Sequence, residues 1–188
     1  MNHIGTKKLE TEHLILRRLE LSDLEAFYNN WASDKKVTTF LTWPTYTNID
    51  TAESYLKFLS KKYEDPDTYE WGIVLKEINE PIGSISAVHL DEKVNLAEIG
   101  YCLGSRWWHQ GYTSEALKRV IRFFFEEVHV NKVEGKHDPR NIHSGQVMKD
   151  AGMKLEGTIR QSFHNNQGIC DSVYYGILAS EYFSPSAQ

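Results

Sequence analysis

The chain has 188 residues, 21 Lys plus Arg against 26 Asp plus Glu, a formal charge of −5, and 40% hydrophobic residues. That length gives one domain with a core of useful size. A mildly acidic chain without a Lys/Arg tract lacks the footprint of a nucleic-acid binder, no apolar run reaches a membrane span, and Met1 to Lys8 carries no apolar signal-peptide region. Cys102 and Cys170 lie far apart without a CxxC, which excludes a disulfide scaffold or zinc ribbon. A single cytoplasmic domain over residues 1–183, with a frayed tail at 184–188, is expected.

Glu12 to Leu19 is rich in Leu and Ile and predicts a first strand. Ser22 with Glu25 has capping-box spacing, and Leu24, Phe27, Tyr28 and Trp31 follow at helical intervals. Asp50 with Glu53 repeats the signature ahead of Tyr55, Leu56 and Leu59. Lys35 to Asn48, with five Thr, Trp43, Pro44 and Tyr46, predicts an extended loop between these helices. Trp71–Lys76, Ile82–Leu90 and Val94–Leu103 form an expected antiparallel meander, with turn chemistry at Asn79-Glu80-Pro81. A helix over about 112–128 buries Ala116, Leu117, Val120, Ile121, Phe124, Phe125 and Val128. Next come a strand at Lys132–Lys136, a helix at Ile142–Ala151 closed by Gly152, a strand at Lys154–Phe163, a hairpin turn at Asn165 to Gly168, and a strand at Ile169–Leu178. The order β α α β β β α β α β β is not a strict βαβ alternation, which counts against a Rossmann fold.

Chemistry concentrates in Leu96 to Leu117, LAEIGYCLGSRWWHQGYTSEAL. A strand leaves through Gly104 and Ser105, turns, and enters a long helix at Gly111. A helix N-terminus presents unpaired N–H groups and about half a positive charge, so it can hold a phosphate without a basic side chain. Thr113 and Ser114 add hydroxyl donors, and the absence of GK[ST] excludes a nucleoside-triphosphate P-loop. By itself such a strand-to-helix turn is equally consistent with plain structure.

AEIGYCL, WWHQGYTSEAL, Asn141-x-x-Ser144-x-x-Val147-Met148 and Gly152-Met153 together resemble the GNAT superfamily of acyl-CoA N-acyltransferases. The opening ETEHLILRRLELSDLEAFY and the ending DSVYYGILASEYF are similar to its RimJ/RimL branch of ribosomal-protein N-terminal acetyltransferases, so the resemblance spans nearly the whole chain. It implies an α+β fold: a mixed, largely antiparallel sheet of about seven strands, about four flanking helices, and a splayed central strand pair. It also implies acetyl-CoA as cosubstrate and no metal. The phosphate loop of the family has Gln or Arg, two variable residues, Gly, one variable residue, then Gly or Ala. Here Trp108, His109, Gln110, Gly111, Tyr112 and Thr113 stand at those positions, so Trp108 and Thr113 depart from the pattern. Many members of the branch have Gly where His109 stands. The resemblance assigns the pantetheine arm and acetyl carbonyl to free backbone of the splayed strand, including Cys102 and Leu103, with Gly100 suited to a bulge. Asn141 matches the residue that contacts the arm, and Ser144 one placed near the thioester sulfur.

Acetyl transfer to an amine passes through an oxyanion, which a strand N–H can stabilise, and the amine must attack neutral. At pH 7 deprotonation costs about 1 kcal/mol for an α-amine and about 4.6 kcal/mol for a lysine. One carboxylate acting through water therefore suffices for an N-terminal substrate. Glu98, sharing a strand face with Gly100 and Cys102, is the first candidate base; Glu70 on the neighbouring strand is the second. Either is also readable as a salt-bridged surface carboxylate. Ser144 would protonate the leaving thiolate; otherwise it is a helix-surface Ser. Cys102 reads as an apolar filler, and Glu64, Asp65 and Asp67 as solvated. His137, Asp138 and His143 lack metal-ligand spacing and read as a solvated loop. Trp107 and Trp108 are expected at the cofactor groove, and Trp31, Trp43, Tyr46 and Tyr55 beside the acceptor. The expected acceptor is a protein N-terminal amine. The alternatives are a small amine such as a polyamine or aminoglycoside, or a non-catalytic acyl-CoA sensor. The expected state is a monomer or homodimer that binds neither nucleic acid nor membrane.

Overall fold

The computed structural model describes residues 1–184, so the residues expected as a tail beyond Ser184 lie outside the described part. The described residues form one eight-stranded sheet in the order β1-β2-β3-β4-β5-β6-β8-β7. Its strands are β1 (Leu9–Glu10), β2 (Leu14–Arg17), β3 (Glu70–Leu75), β4 (Glu80–Asp91), β5 (Leu96–Leu103), β6 (Lys132–His137), β7 (Lys154–Asn165) and β8 (Gly168–Leu178). The α-helical segments are α1 (Leu24–Phe27), α2 (Lys35–Thr38), α3 (Ile49–Lys62), α4 (Tyr112–Phe123), α5 (Ile142–Asp150) and α6 (Ala179–Phe183). Every pairing is antiparallel except β5 with β6, which α4 connects. The mixed, largely antiparallel α+β fold is as expected, with one more strand and two more helices.

The differences from expectation have local causes. The expected first strand is two short ones, and the first helical turn is closed by Glu20 and Asp23 rather than Ser22 and Glu25: the Glu20 N–H donates to Asp23 Oδ2 at 2.8 Å, while Arg17 donates to both Asp23 oxygens. Asn48, not Asp50, caps α3, accepting from the Asp50 N–H at 2.9 Å. Four residues of the expected 35–48 loop form α2, capped by Asp34. The long helix is α-helical only to Phe123 and continues as a π-helical turn through Val128. The wider turn shifts the helical phase, and Phe123, Phe124 and Phe125 are all buried across it, Phe123 in addition to the expected stripe. A second π turn, Tyr28–Ala32, similarly buries Asn30, Trp31 and Ala32.

Two cores hold the sheet. Trp71, Ile73, Leu75, Ile85, Ala97 and Ile99 pack with the stripe of α4 and with Met148 of α5. Leu19, Phe27, Trp31, Leu56, Leu59 and Tyr63 join α1 to α3. Strand alternation divides β5 between them: Tyr101 and Leu103 pack on the first core, Cys102 on the second. Burial of each large side chain contributes about 1.5–3 kcal/mol, so the cores fix β5 from both faces.

β5 and β6 pair only at Leu96–Lys132, Ala97–Val133 and Glu98–Glu134, then part. This is the expected splay. The irregularity beside it is not at Gly100 but in the partner strand, where the β4 register shifts between Ala87 and His89. Gly100 accommodates that bulge: a Cβ there would lie 2.8 Å from Val88 Cγ1.

Candidate active site

Two cavities meet in the splay. The larger, about 910 Å³, lies over β3–β5 under an aromatic wall that includes Phe27, Trp31, Trp43, Tyr46 and Tyr55, with Glu70 and Glu98 on its floor. The smaller, about 450 Å³, runs between the start of α4 and the start of α5. Phe40, Leu41, Tyr101, Cys102, Asn141 and Ser144 line both. The roof of the junction is pinned by the β7–β8 hairpin tip. Asn166 donates from Nδ2 to the Thr38 and Trp43 carbonyls, each at 2.8 Å, and from its backbone N–H to the Leu41 carbonyl at 3.0 Å.

The smaller cavity gathers nearly every residue expected at the cofactor: Cys102, Leu103, Trp108, His109, Gly111, Tyr112, Thr113, Ser114, Asn141 and Ser144. Gln110 is the exception; its side-chain amide turns back to the Arg106 carbonyl at 3.3 Å. The first α4 bond runs from the Glu115 N–H to the Gly111 carbonyl, so the N–H groups of Tyr112, Thr113 and Ser114 head the helix. Gly111 has φ +82°, and His109 has φ +63°. The family's frequent glycine at the latter position thus has a conformational reason, and this chain holds a histidine in the left-handed region instead. Trp108, another departure from the pattern, has a structural partner: its indole N–H donates to the Leu103 carbonyl at 2.8 Å, tying the loop to the end of β5. These residues fit a pyrophosphate: main-chain donors at a helix start, an open approach at Gly111 where no atom lies within 4 Å of a Cβ, and hydroxyls at Thr113 and Ser114.

The loop before α4 is joined by hydrogen bonds to the segment that carries Trp31. Arg106 donates to Asn30 Oδ1 at 2.8 Å, Asn30 donates to the Pro81 carbonyl at 2.8 Å, and Ser105 Oγ donates to Asp34 at 2.5 Å. The strand-to-helix turn is thus tied to the Tyr28–Ala32 turn and to the cap of α2.

The two candidate carboxylates differ in their surroundings. Glu98 is 8% exposed and held by Lys136, whose Nζ lies 3.0 and 3.1 Å from its two oxygens. The salt bridge matches the structural alternative stated for it, but Glu98 is buried rather than on the surface. Glu70 is not at a solvent-facing strand end. Burial raises its pKa above the ordinary carboxylate range, a rise only partly offset by the hydrogen bond from Tyr55 Oη at 2.5 Å and by Lys62. Glu70 is thus set by burial and Tyr55, and Glu98 by its ion pair with Lys136.

Ser144 lies in the first turn of α5, its Oγ 3.1 Å from Tyr101 Oη, which also donates to the Ser144 carbonyl at 2.9 Å. Tyr101 and Lys136 were not singled out in the sequence. For Tyr101 a signal existed, because it alternates with Gly100 and Cys102 and so faces the opposite side of β5; Lys136 had none, since pairing with Glu98 depends on the β5–β6 register. Cys102 is a filler as expected: burial pushes its thiol up to about 11, with Ser84 Oγ 3.4 Å from Sγ. His137 and Asp138 are not solvated. They are 8% and 1% exposed, His137 Nδ1 faces the Asp138 carbonyl at 2.8 Å, and Arg140 and Asn165 hold the Asp138 carboxylate. Glu64, Asp65 and Asp67 are exposed, although Asp67 reaches the rim of the larger cavity. Among the described residues no three His, Cys, Asp or Glu side chains converge as a metal site, and no helix is long and apolar enough to cross a membrane.

Residues 13–154 match the family described as the acetyltransferase (GNAT) domain. An uncharacterized N-acetyltransferase, p20, of Bacillus licheniformis is 29% identical over 174 residues, 93% of this chain and 97% of that protein. A putative ribosomal N-acetyltransferase, YdaF, of Bacillus subtilis is 27% identical over 91% of this chain and 94% of its own. The solved structure of RimL, a ribosomal L7/L12 α-N-protein acetyltransferase in complex with coenzyme A, superposes with a TM-score of 0.81 at 20% identity, covering 92% of this chain and 98% of that one. With a helix-headed groove opening into a splayed β5–β6 pair, and with a family match across most of its length, the chain belongs to the GNAT acetyltransferases.

Proposed function

We propose that the protein moves an acetyl group from acetyl-CoA to a primary amine by direct attack in a ternary complex, that the amine is the N-terminal α-amine of a protein, and that it works in the cytoplasm. The observation that carries this is the meeting of the two cavities at Tyr101, Cys102, Asn141 and Ser144, which gives a donor and an acceptor one shared point of contact. The α4 N–H groups would hold the pyrophosphate, and the backbone of β5 freed by the splay would orient the pantetheine arm and polarise the thioester carbonyl.

In this scheme Glu70, through water, takes the proton that the amine loses. The amine nitrogen forms its bond to the carbonyl carbon, the C–S bond breaks, and Ser144 Oγ passes a proton to the departing sulfur while taking one from water, so that the proton lost by the amine and the one gained by the thiolate balance through solvent. Tyr101 is a positioning residue, holding Ser144 through both its carbonyl and its hydroxyl. A carboxylate raised by burial is a stronger base than a solvated one, and an α-amine near its own pKa asks little of it. Glu98 with Lys136 contributes fixed charge to the floor rather than proton transfer.

The test is thiol release from acetyl-CoA with a panel of N-terminal peptides and of small amines, with the acetylated atom located by mass spectrometry. Acetylation of peptide α-amines supports the proposal; turnover confined to polyamines or aminoglycosides overturns the acceptor. Tight CoA binding with no turnover on any amine makes the chain a sensor.

A further inference from the structure

The groove assigned to acetyl-CoA must accept several negative charges, yet none of the residues that line it is Lys or Arg. Arg106, the nearest cation in the loop, is turned away onto Asn30 Oδ1 and over the Trp107 ring. What stands at the groove instead is a pair of exposed histidines. His109, on the loop before α4, and His143, in the first turn of α5, meet edge to face with ring centroids 4.8 Å apart. They come from opposite walls, so the pair bridges the groove beside the α4 N–H groups. Holding His109 there requires a left-handed φ of +63°, a conformation in which most residues are strained.

We infer that His109 and His143 form a protonation-dependent clamp on the pyrophosphate of CoA, so that the affinity of this protein for its donor rises as the pH falls through the neutral range. The inference rests on the acetyl-CoA assignment above. Imidazole is the side chain whose charge changes between about pH 5 and 8. With no permanent cation in the groove lining, the helix terminus supplies only about half a charge, and an imidazolium placed between the walls adds a full one. Among the other charged groups near the pair, Arg140, just before α5, lies over the ring of the lining residue Phe40 but is paired with Asp138. Asp150, on α5, lines the groove and accepts from Gln146; Glu115, on α4, is engaged by His13; and of α2 only Val37 reaches the lining. Asp150 is the single carboxylate of the lining.

The measurement is the dissociation constant of dephospho-CoA by calorimetry at pH 6.0 and 8.0. This probe keeps the pyrophosphate and lacks the 3′-phosphate monoester, a group that itself titrates near pH 6. Wild type is expected to bind at least threefold more tightly at pH 6.0. The double variant His109→Asn/His143→Gln, with Asn chosen for its tolerance of left-handed φ, is expected to lose that ratio. His143→Lys, a helix-compatible permanent cation, is expected to bind at pH 8.0 as wild type does at pH 6.0. A wild-type ratio near one, a ratio retained in the double variant, or a His143→Lys affinity at pH 8.0 no better than wild type would each overturn the clamp. No binding of CoA or dephospho-CoA at either pH would overturn the acetyl-CoA assignment itself, and the clamp with it.

Discussion

Replacing Glu70 by Gln separates proton transfer from everything else Glu70 does. The change is isosteric, and the Gln oxygen still accepts from Tyr55 Oη, so the wall of the larger cavity stays in place. Removal of a general base costs about 10²–10⁴ in rate. A base that acts on a nearly neutral α-amine sits at the low end, so a loss of about 100-fold in kcat at pH 7 is expected. Raising the pH should return part of it, because the substrate then deprotonates itself. An α-amine goes from about 9–17% neutral at pH 7 to over about 90% at pH 9, a recovery of about six- to tenfold; a lysine-like amine would recover about 100-fold over the same range. The pH ratio of the variant therefore also reports the class of acceptor.

The same substitution has a consequence for stability. Glu70 has a folded pKa raised by burial, so the folded state favours its protonated form. Stability from this group is fully present below its unfolded pKa and is lost as the pH rises through the raised folded value. Glu70→Gln should accordingly raise the melting midpoint at pH 7.5, and the gain should vanish at pH 4. Stopped-turnover assays at pH 7 and 9 with calorimetric melts at pH 4 and 7.5 give both readouts. A variant with near wild-type kcat at pH 7, or one that melts lower than wild type at pH 7.5, would refute the assignment of a buried, tunable base.

Ser144→Ala should lower kcat by about 10- to 100-fold while leaving the KM for acetyl-CoA within about threefold, measured by initial rates; a collapse of affinity would make Ser144 a binding residue. Lys136→Met strands the buried Glu98 carboxylate and should cost about 2–3 kcal/mol in denaturant unfolding, below the full cost for a wholly buried pair because Lys136 is partly exposed. The double variant Glu98→Leu/Lys136→Met should recover most of that loss. Gly111→Ala meets no atom but must hold φ +82°, so about 1–2 kcal/mol of strain is expected; relaxation of the loop should weaken CoA binding more than it lowers the melting midpoint. Saturating acetyl-CoA, at about 100 times its dissociation constant, should stabilise the protein by about 2.7 kcal/mol and raise that midpoint by several degrees, whereas ATP or NADPH should not.

Hydrophobic periodicity and helix-end chemistry are local, so the main run of elements, the sheet class and the strand-to-helix turn at Gly111 were legible in the sequence. The stripe of α4 and the alternation of β5 are both readable within a window of a dozen residues. Element ends were less legible where tertiary contacts set them. The long helix widens into a π turn at Phe124–Val128, where it buries successive phenylalanines in the first core, and Asp23 rather than Ser22 serves the first helical turn while pairing with Arg17. The carboxylates show the limit most clearly. Glu70 and Glu98 are both strand residues beside the same cavity, and nothing local distinguishes them. Only the β5–β6 register brings Lys136 to Glu98, and only the packing of α3 across β3 sets Tyr55 on Glu70 and takes that carboxyl out of water. A carboxylate's basicity is a property of its desolvation and its partners, and both are assembled by contacts between residues distant in the chain.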